Sequence, residues 1–406
     1  MKCTAVIKAG KEKQLVRHHP WVFSRALEKT PEEDSCIAQV LDSNGVFIAW
    51  GAWDSQSHIP LRLMSWKQSE EPDEAWFREQ VHQALLRRKE LFKSEDTNAF
   101  RLVFGEADML GGFAVDLYAR IIRIIVSSRY AWSMREVMVK ALQDFLKPDL
   151  IVLNTDSAFC GIEKLKQVTA YYKDGIEFTP QEAFEPILIR ESGFFYSFVP
   201  GTGQKSGFYC DQRENRKAAA FYAKDRTVLD VCSYTGAFTI HCLAAGAKSV
   251  DALDRSDEAL HQLLSNVHFN IDRGTIPADS ISRVTTTRCD AFEQMRLIEE
   301  NHYDMMILDP PKLAMTPDGV EAALKAYKDL NRLAMAKIAS GGIIVTCSCS
   351  GNVDREQFRT MLAWSAKDSG VEIQILATLG QAADHPVRLS FPESEYLKVY
   401  ILRVIK

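Results

Sequence analysis

The sequence predicts an α/β protein: a doubly wound, Rossmann-like parallel sheet in the carboxyl-terminal half, preceded by a small β domain and an α/β middle domain. From Asp225 onward, Val228–Val231, Ser249–Asp254, Ser282–Asp290, Tyr303–Asp309 and Gly342–Cys347 read as strands spaced by helical segments, the rhythm of a doubly wound sheet. From Thr4 to about Trp66, short apolar stretches alternate with turn signals such as Ser43-Asn44-Gly45, as in an antiparallel β domain. No internal repeat or low-complexity tract competes with this pattern. The expected domain limits are residues 1–70, 71–190 and 191–406.

Composition bounds the answer further. At 406 residues the chain exceeds one ordinary core. Hydrophobic content of 46% and charged content of 25% are those of a globular protein, which argues against disorder. A net charge of -5 excludes a uniformly basic coat, yet residues 1–29 hold seven Lys or Arg against Glu12 and Glu28. A local basic face of that kind suits phosphate contacts or a solvated hairpin surface. Nine cysteines without CxxC pairs or His/Cys clusters fit neither a disulfide framework nor a structural metal site, so a reducing compartment is expected. The start, MKCTAVIKAGKEK, has no apolar h-region, and no run approaches the roughly 20 apolar residues that span a bilayer. A soluble, cytoplasmic protein is expected.

Within the β domain, Arg17-His18-His19-Pro20-Trp21-Val22-Phe23 combines charge with aromatic rings, either as a nucleic-acid surface or as a turn whose Trp21 and Phe23 plug a small core. Glu70 to Asp73 forms an acidic linker. Glu74 to Lys93 carries apolar residues at helical spacing above an Arg87-Arg88-Lys89 tail that suits a helix carboxyl end. Arg101–Phe104 and Phe113–Ser128 read as strands, Trp132–Leu146 as a helix, Leu150–Asn154 and Thr169–Tyr172 as strands, and a strand pair follows near Ile187 to Phe198.

The chemistry sits at strand ends. Val228–Val231 runs into Ser233-Tyr234-Thr235-Gly236, and the next strand ends in Asp254, 24 residues after Asp230. A glycine turn lets backbone approach a ligand, and an acid at the following strand end binds a ribose diol. One glycine replaces GxGxxG, so no cradle awaits a pyrophosphate, and S-adenosylmethionine fits better than a dinucleotide. Asp290, at the third strand end, either lies beside the adenine or caps a helix. Asp309-Pro310-Pro311-Lys312 closes the fourth strand, where two prolines stiffen the chain and leave the Asp309 side chain facing the cleft.

Gly341 to Gly351, GGIIVTCSCSG, is a buried strand that delivers Cys347 and Cys349 to the sheet's carboxyl edge, both on one face if the strand stays regular. Each cysteine by itself reads as a small buried hydrophobe. Beside an Asp-Pro-Pro strand end, Cys349 also has a chemical reading. C5 of cytosine is a poor nucleophile, and a thiolate adding to C6 makes C5 enamine-like. Such a thiolate calls for surroundings that lower the thiol's pKa. Asp309 would hold the N3 and amino edge as charge develops.

The run Gly203-Gln-Lys-Ser-Gly-Phe-Tyr-Cys-Asp-Gln-Arg-Glu-Asn-Arg216, with Ser233-Tyr-Thr-Gly236, Asp309-Pro-Pro-Lys312 and Ser348-Cys-Ser-Gly351, resembles the PUA-domain-containing 23S ribosomal RNA cytosine-C5 methyltransferases over essentially the whole chain. Residues 17–24 match that family's PUA module. The resemblance implies a class I S-adenosylmethionine-dependent fold, often dimeric, acting on RNA, with Cys349 as nucleophile and Asp309 beside it. The positions matching cofactor contacts are Phe208, Tyr209, Arg213, Tyr234, Thr235, Gly236, Asp254 and Asp290, and no metal is implied. This chain departs from the family at Asp230, Cys232 and Cys347, and in the usually arginine-rich stretch that here reads NTDSAFCGIEKL over residues 154–165. Two rival readings are an RNA base amino-group methyltransferase with Cys349 as packing, and a catalytically silent RNA-binding protein of the same fold.

Overall fold

The computed structural model describes residues 3–201 and 207–406; Lys2 and residues 203–206 of the Gly203–Arg216 run lie outside them. Two compact units form. The first holds Met1–Ile187, Phe198–Phe208 and Asp384–Ser394, and the second Leu188–Ser197, Tyr209–Ala383 and Glu395–Lys406.

The first unit begins with a six-stranded sheet: β1 (Thr4–Ile7), β2 (Trp21–Val22), β3 (Leu27–Lys29), β4 (Ser35–Leu41), β5 (Phe47–Asp54) and β6 (Leu61–Ser65), in the order β2-β6-β5-β4-β1-β3. It is not purely antiparallel as the sequence suggested, because β1 runs parallel to β4. That pairing also brings Cys3 and Cys36 together as a disulfide, which their separation of 33 residues conceals in the sequence. Ile7, Val22, Val40, Trp53 and Leu61 form the core.

A second six-stranded sheet follows, with β7 (Ala99–Phe104), β8 (Phe113–Tyr118), β9 (Ile121–Val126), β10 (Leu150–Thr155), β11 (Thr169–Lys173) and β12 (Ile176–Phe178) in the order β12-β11-β10-β9-β8-β7. The run expected as one strand, residues 113–128, is a hairpin. Ala119 takes a left-handed φ of 56° at the turn, a conformation its side chain does not advertise. The helix expected from Glu74 to Lys93 is split into α1 (Glu74–Arg87) and α2 (Lys89–Phe92). Arg88 leaves the helix because its buried guanidinium makes two 2.7 Å bonds to the Asp108 carboxylate. The next helix is likewise broken at Met134, giving α3 (Arg129–Ser133) and α4 (Arg135–Leu146). Phe77 and Val81 of α1, one turn apart, pack with Met138 and Leu142 of α4 against Phe113, Ile122 and Ile124.

Polar side chains join the two sheets of this unit. Glu106 accepts from Arg62 at 2.6 Å and from the Trp21 indole at 2.8 Å, and Arg129 pairs with Asp54 at 2.9 Å. Trp21 is therefore half-buried and bonded, while Phe23 remains exposed. In the atypical stretch, Asp156 caps α5 (Ser157–Glu163), and the buried Glu163 accepts from Ser57 Oγ at 2.8 Å and from the Arg129 amide at 3.2 Å. Residues 154–165 thus tie sheet to sheet.

The second unit holds the hairpin β13 (Ile187–Glu191) and β14 (Phe194–Phe198), for the most part, and a seven-stranded sheet. That sheet contains β15 (Thr227–Val231), β16 (Ser249–Asp254), β17 (Val284–Arg288), β18 (Met305–Leu308), β19 (Ile343–Ser348), β20 (Glu372–Leu379) and β21 (Lys398–Ile405). The order β17-β16-β15-β18-β19-β21-β20 reverses direction of travel between β15 and β18, which opens a crevice at the strands' carboxyl ends. Its helices are α6 (Arg213–Ala220), α7 (Ala237–Ala244), α8 (Asp257–Asp272), α9 (Ala291–Leu297), α10 (Val320–Lys337) and α11 (Arg355–Ser369). All five strands expected from the sequence are present, and the third starts later, at Val284, after a 3-10 turn. The antiparallel β21 adds a central strand that the alternation of strand and helix did not reveal. Among the described residues, no helix is long and apolar enough to cross a membrane.

Candidate active site

The turn after β15 concentrates backbone strain. Cys232, Tyr234 and Gly236 take positive φ values of 63°, 51° and 81° within five residues, the kind of cost that persists at ligand sites. Asp254 holds the turn in place, with one carboxylate oxygen accepting from the Tyr234 amide at 2.9 Å and the other from the Ser256 amide at 2.9 Å. Gly236 starts α7 without a side-chain cap, so the helix's first amides are left for a ligand. A Cβ at Gly236 would lie 2.3 Å from Leu263 Cγ of α8. Gly236→Ala is therefore expected to lower stability by about 2 kcal/mol or more through strain and overpacking. Adding Leu263→Ala to that variant should return part of the loss in urea unfolding, and strictly additive losses would refute the clash.

The remaining sequence candidates fall into three settings. Tyr209 stands edge-to-face on Tyr234 at 5.5 Å, Thr235 is buried with its carbonyl bonded to Asn266, and Arg213 is buried at the start of α6. Phe208 belongs to the first unit, where the Tyr118 hydroxyl donates to its carbonyl at 3.1 Å. Asp290 caps α9 through the amides of Phe292 and Glu293 and is bonded to Arg255, which holds its carboxyl below the usual range.

Asp309 follows β18, beside Cys347 and Cys349. Cys347 is fully buried beside Gln212 and Asp309, and Cys349 is partly exposed just past the strand, with Sγ 4.0 Å from the Pro310 carbonyl. Ser348 and Ser350 turn to the other side, where Ser350 Oγ accepts from the amides of Leu313 and Ala314 and bonds the Tyr327 hydroxyl at 3.0 Å. Gln212 donates to Asp309 Oδ1 at 2.9 Å, while its own carbonyl accepts from Asn215 at 2.6 Å. Asp211 accepts from the Tyr396 hydroxyl at 2.5 Å. Sequence reasoning passed over Asp211 and Gln212 although both lie in the Gly203–Arg216 run. Neither residue type in a loop signals a catalytic role without its neighbours.

Burial, reinforced by the nearby Asp211 charge, raises Asp309 to about 7. The expected lowering of the Cys349 pKa is not met. Burial first, then the negative charges of Asp309 and Asp211, push the thiol up to about 12, with Lys312 opposing weakly. The resting sulfur therefore carries its proton beside a carboxyl that is half-neutral at pH 7.

A nucleoside sulfonium fits this crevice. The uncapped start of α7 and the glycine turn would hold it, and the buried Ser233 Oγ, without a partner among the described residues, offers a free polar atom there. The PUA-like domain family matches residues 5–66, and the S-adenosylmethionine-dependent methyltransferase family matches residues 137–368. Ribosomal RNA large subunit methyltransferase I of Pseudoalteromonas atlantica is 36% identical over 100% of both chains, and that of Tolumonas auensis is 35% identical over 100% of both. Among solved structures, a chain described as a SAM-dependent methyltransferase from Streptococcus mutans has a TM-score of 0.81 at 21% identity, covering 99% of this chain and 100% of that one. A chain described as a methyltransferase complexed with SAH has a TM-score of 0.82 at 21% identity, with the same coverage, and both likenesses concern the fold. Matched along its whole length by curated relatives and over more than half by the catalytic family, the chain belongs to the S-adenosylmethionine-dependent, PUA-containing methyltransferase family of ribosomal RNA large subunit methyltransferase I.

Proposed function

We propose that the protein methylates C5 of a cytosine in large-subunit ribosomal RNA, with Cys349 as nucleophile and Asp309 as the acid beside it. The observation that carries this reading is the convergence of Cys349, Asp309 and the Asp254-braced glycine turn at the carboxyl edge of one sheet. S-adenosylmethionine supplies the electrophilic methyl group. Cys349 Sγ gives up its proton to water as it adds to C6, and the electron pair that C5 gains would take the methyl as the methyl's bond to the cofactor sulfonium breaks. Asp309, neutral in about half the molecules at pH 7, donates to the ring edge as negative charge develops there. Water then takes the C5 proton, the C5–H electron pair re-forms the C5–C6 double bond, and the C6–S bond breaks to release the Cys349 thiolate. Phe208, Tyr209, Arg213, Tyr234, Thr235, Gly236, Asp254 and Asp290 are assigned to the cofactor, and residues 1–70, 71–190 and 191–406 to the three domains. Cytoplasmic location and a homodimer follow from the same family reading. Incubating the protein with unmodified large-subunit RNA and labelled cofactor, then sequencing digests by mass spectrometry, tests this directly. A label on an exocyclic amine, or none, overturns it.

The basic face of the first sheet serves the RNA. His18 stacks on Trp66 at 4.6 Å, and the Arg388 guanidinium lies 5.4 Å from the same ring, so Trp66 is covered and the exposed Arg17, Arg25 and Lys11 carry the charge. Deleting the module would strip Glu106 and Glu163 of partners, so point changes are the cleaner test. Arg17→Glu with Arg25→Glu is expected to weaken RNA binding about tenfold or more at low salt and to flatten the salt dependence. Unchanged affinity would remove the module from the interface.

A further inference from the structure

Lys398 opens β21 with 1% of its surface exposed, an unusual place for an ammonium group. Among the described residues its hydrogen-bond partners are two backbone carbonyls, Ser350 at 2.7 Å and Tyr396 at 2.8 Å. In the β19–β21 ladder its register partner is Ser348. The residue before Cys349 is therefore held by strand pairing to Lys398, and the residue after Cys349 is held by the Lys398 side chain. A neutral donor would satisfy the same carbonyls at a lower cost of burial, so the charge calls for a further reason.

We propose that Lys398 is a positioning residue for Cys349, clamping the strand end through the Ser350 carbonyl and setting a buried positive charge against the sulfur as it becomes a thiolate. The inference rests on the reading of Cys349 as nucleophile. The groups around the pair are Asp309, Asp211 and Lys312 facing the thiol, and Arg355, Asp354 and Glu395 facing the ammonium. Two carboxylates thus oppose thiolate formation, Lys312 opposes them weakly, and Lys398 adds a buried cation on the strand paired with the Cys349 strand. Burial lowers Lys398 to about 8, and the strongest influence opposing that is the negative charge Cys349 carries once it is a thiolate. At neutral pH the ammonium is still mostly charged.

Alkylation of Cys349 by iodoacetamide reads this without methyl transfer. Its rate is followed from pH 6 to 10 by mass spectrometry of the Cys349 peptide in wild type, Lys398→Met and Lys398→Gln, each checked for cofactor binding by calorimetry. Gln keeps an N–H donor for the carbonyls and removes the charge. In variants that bind cofactor normally, alkylation at pH 7 is expected to slow about tenfold or more, with the gap from wild type closing as pH rises past about 8 and Lys398 loses its charge. If Lys398→Met fails to fold, Lys398→Gln alone decides. Alkylation rates and profiles equal to wild type overturn the charge role, and recovery of the wild-type profile by Gln reduces Lys398 to a backbone clamp and overturns it as well. A Cys349→Ala protein that still methylates C5 sinks the nucleophile reading while leaving the alkylation comparison intact.

Discussion

Cys349→Ala is expected to abolish RNA methylation, by about a thousandfold or more, while cofactor binding and fold persist. Cys347→Ala should keep turnover and lose about 1 kcal/mol of stability. Both sulfurs lie on the Asp309 side of the strand, so proximity alone does not separate them. Cys347 is sealed at 0% exposure beside Gln212 and Asp309, whereas Cys349 sits one step beyond the regular strand with part of its surface open. A base must reach the sulfur, and only Cys349 offers access. RNA carrying 5-fluorocytidine has no C5 proton to release after methyl transfer, so it should trap wild type and Cys347→Ala as covalent adducts and leave Cys349→Ala free. The reverse pattern would move the nucleophile to Cys347. Full activity in both variants would leave an amino-group methyltransferase.

The strand ends at Val231, Leu308 and Ser348 were legible because buried parallel strands read as apolar runs, and the glycine turn, the Asp-Pro-Pro and the Ser-Cys-Ser motifs lie at their ends. β21 was missed for a physical reason: it pairs antiparallel on both sides, between β19 and β20, outside the strand-helix alternation that exposed its neighbours. Lys398 was missed with it, since a lysine at a strand start reads as solvated until its register with Ser348 is known. The Cys349 environment was misjudged because Asp211 and Asp309 are 98 residues apart in the chain, and their joint effect on the thiol exists only once the 3-10 turn before α6 meets the end of β18. Helix breaks at Arg88 and Met134 show the same limit. The Arg88 break depends on a buried partner, Asp108, that helical periodicity does not report.

Asp309→Asn should separate what the carboxyl does for catalysis from what it costs the fold. In the folded protein the group titrates at about 7 against an ordinary 3.8, so folding favours its protonated form. Its contribution is fully present below about pH 4 and is lost as pH rises through 7, a swing of about 4 kcal/mol at most. Asparagine does not titrate. The variant should therefore gain on wild type in urea unfolding as pH is raised from 4.5 to 8, by about 2 to 4 kcal/mol. A stability difference that does not change over that range would show that Asp309 titrates normally. Activity should move the other way. With the thiol near 12 and Asp309 near 7, a reaction needing thiolate and neutral carboxyl together climbs with pH to about 7 and then levels, because each further gain in thiolate is matched by a loss of acid. Asp309→Asn lacks the titrating acid, so its much lower rate, reduced about a hundredfold or more, should keep climbing past pH 7. A plateau at the same pH in the variant would assign the break to another group.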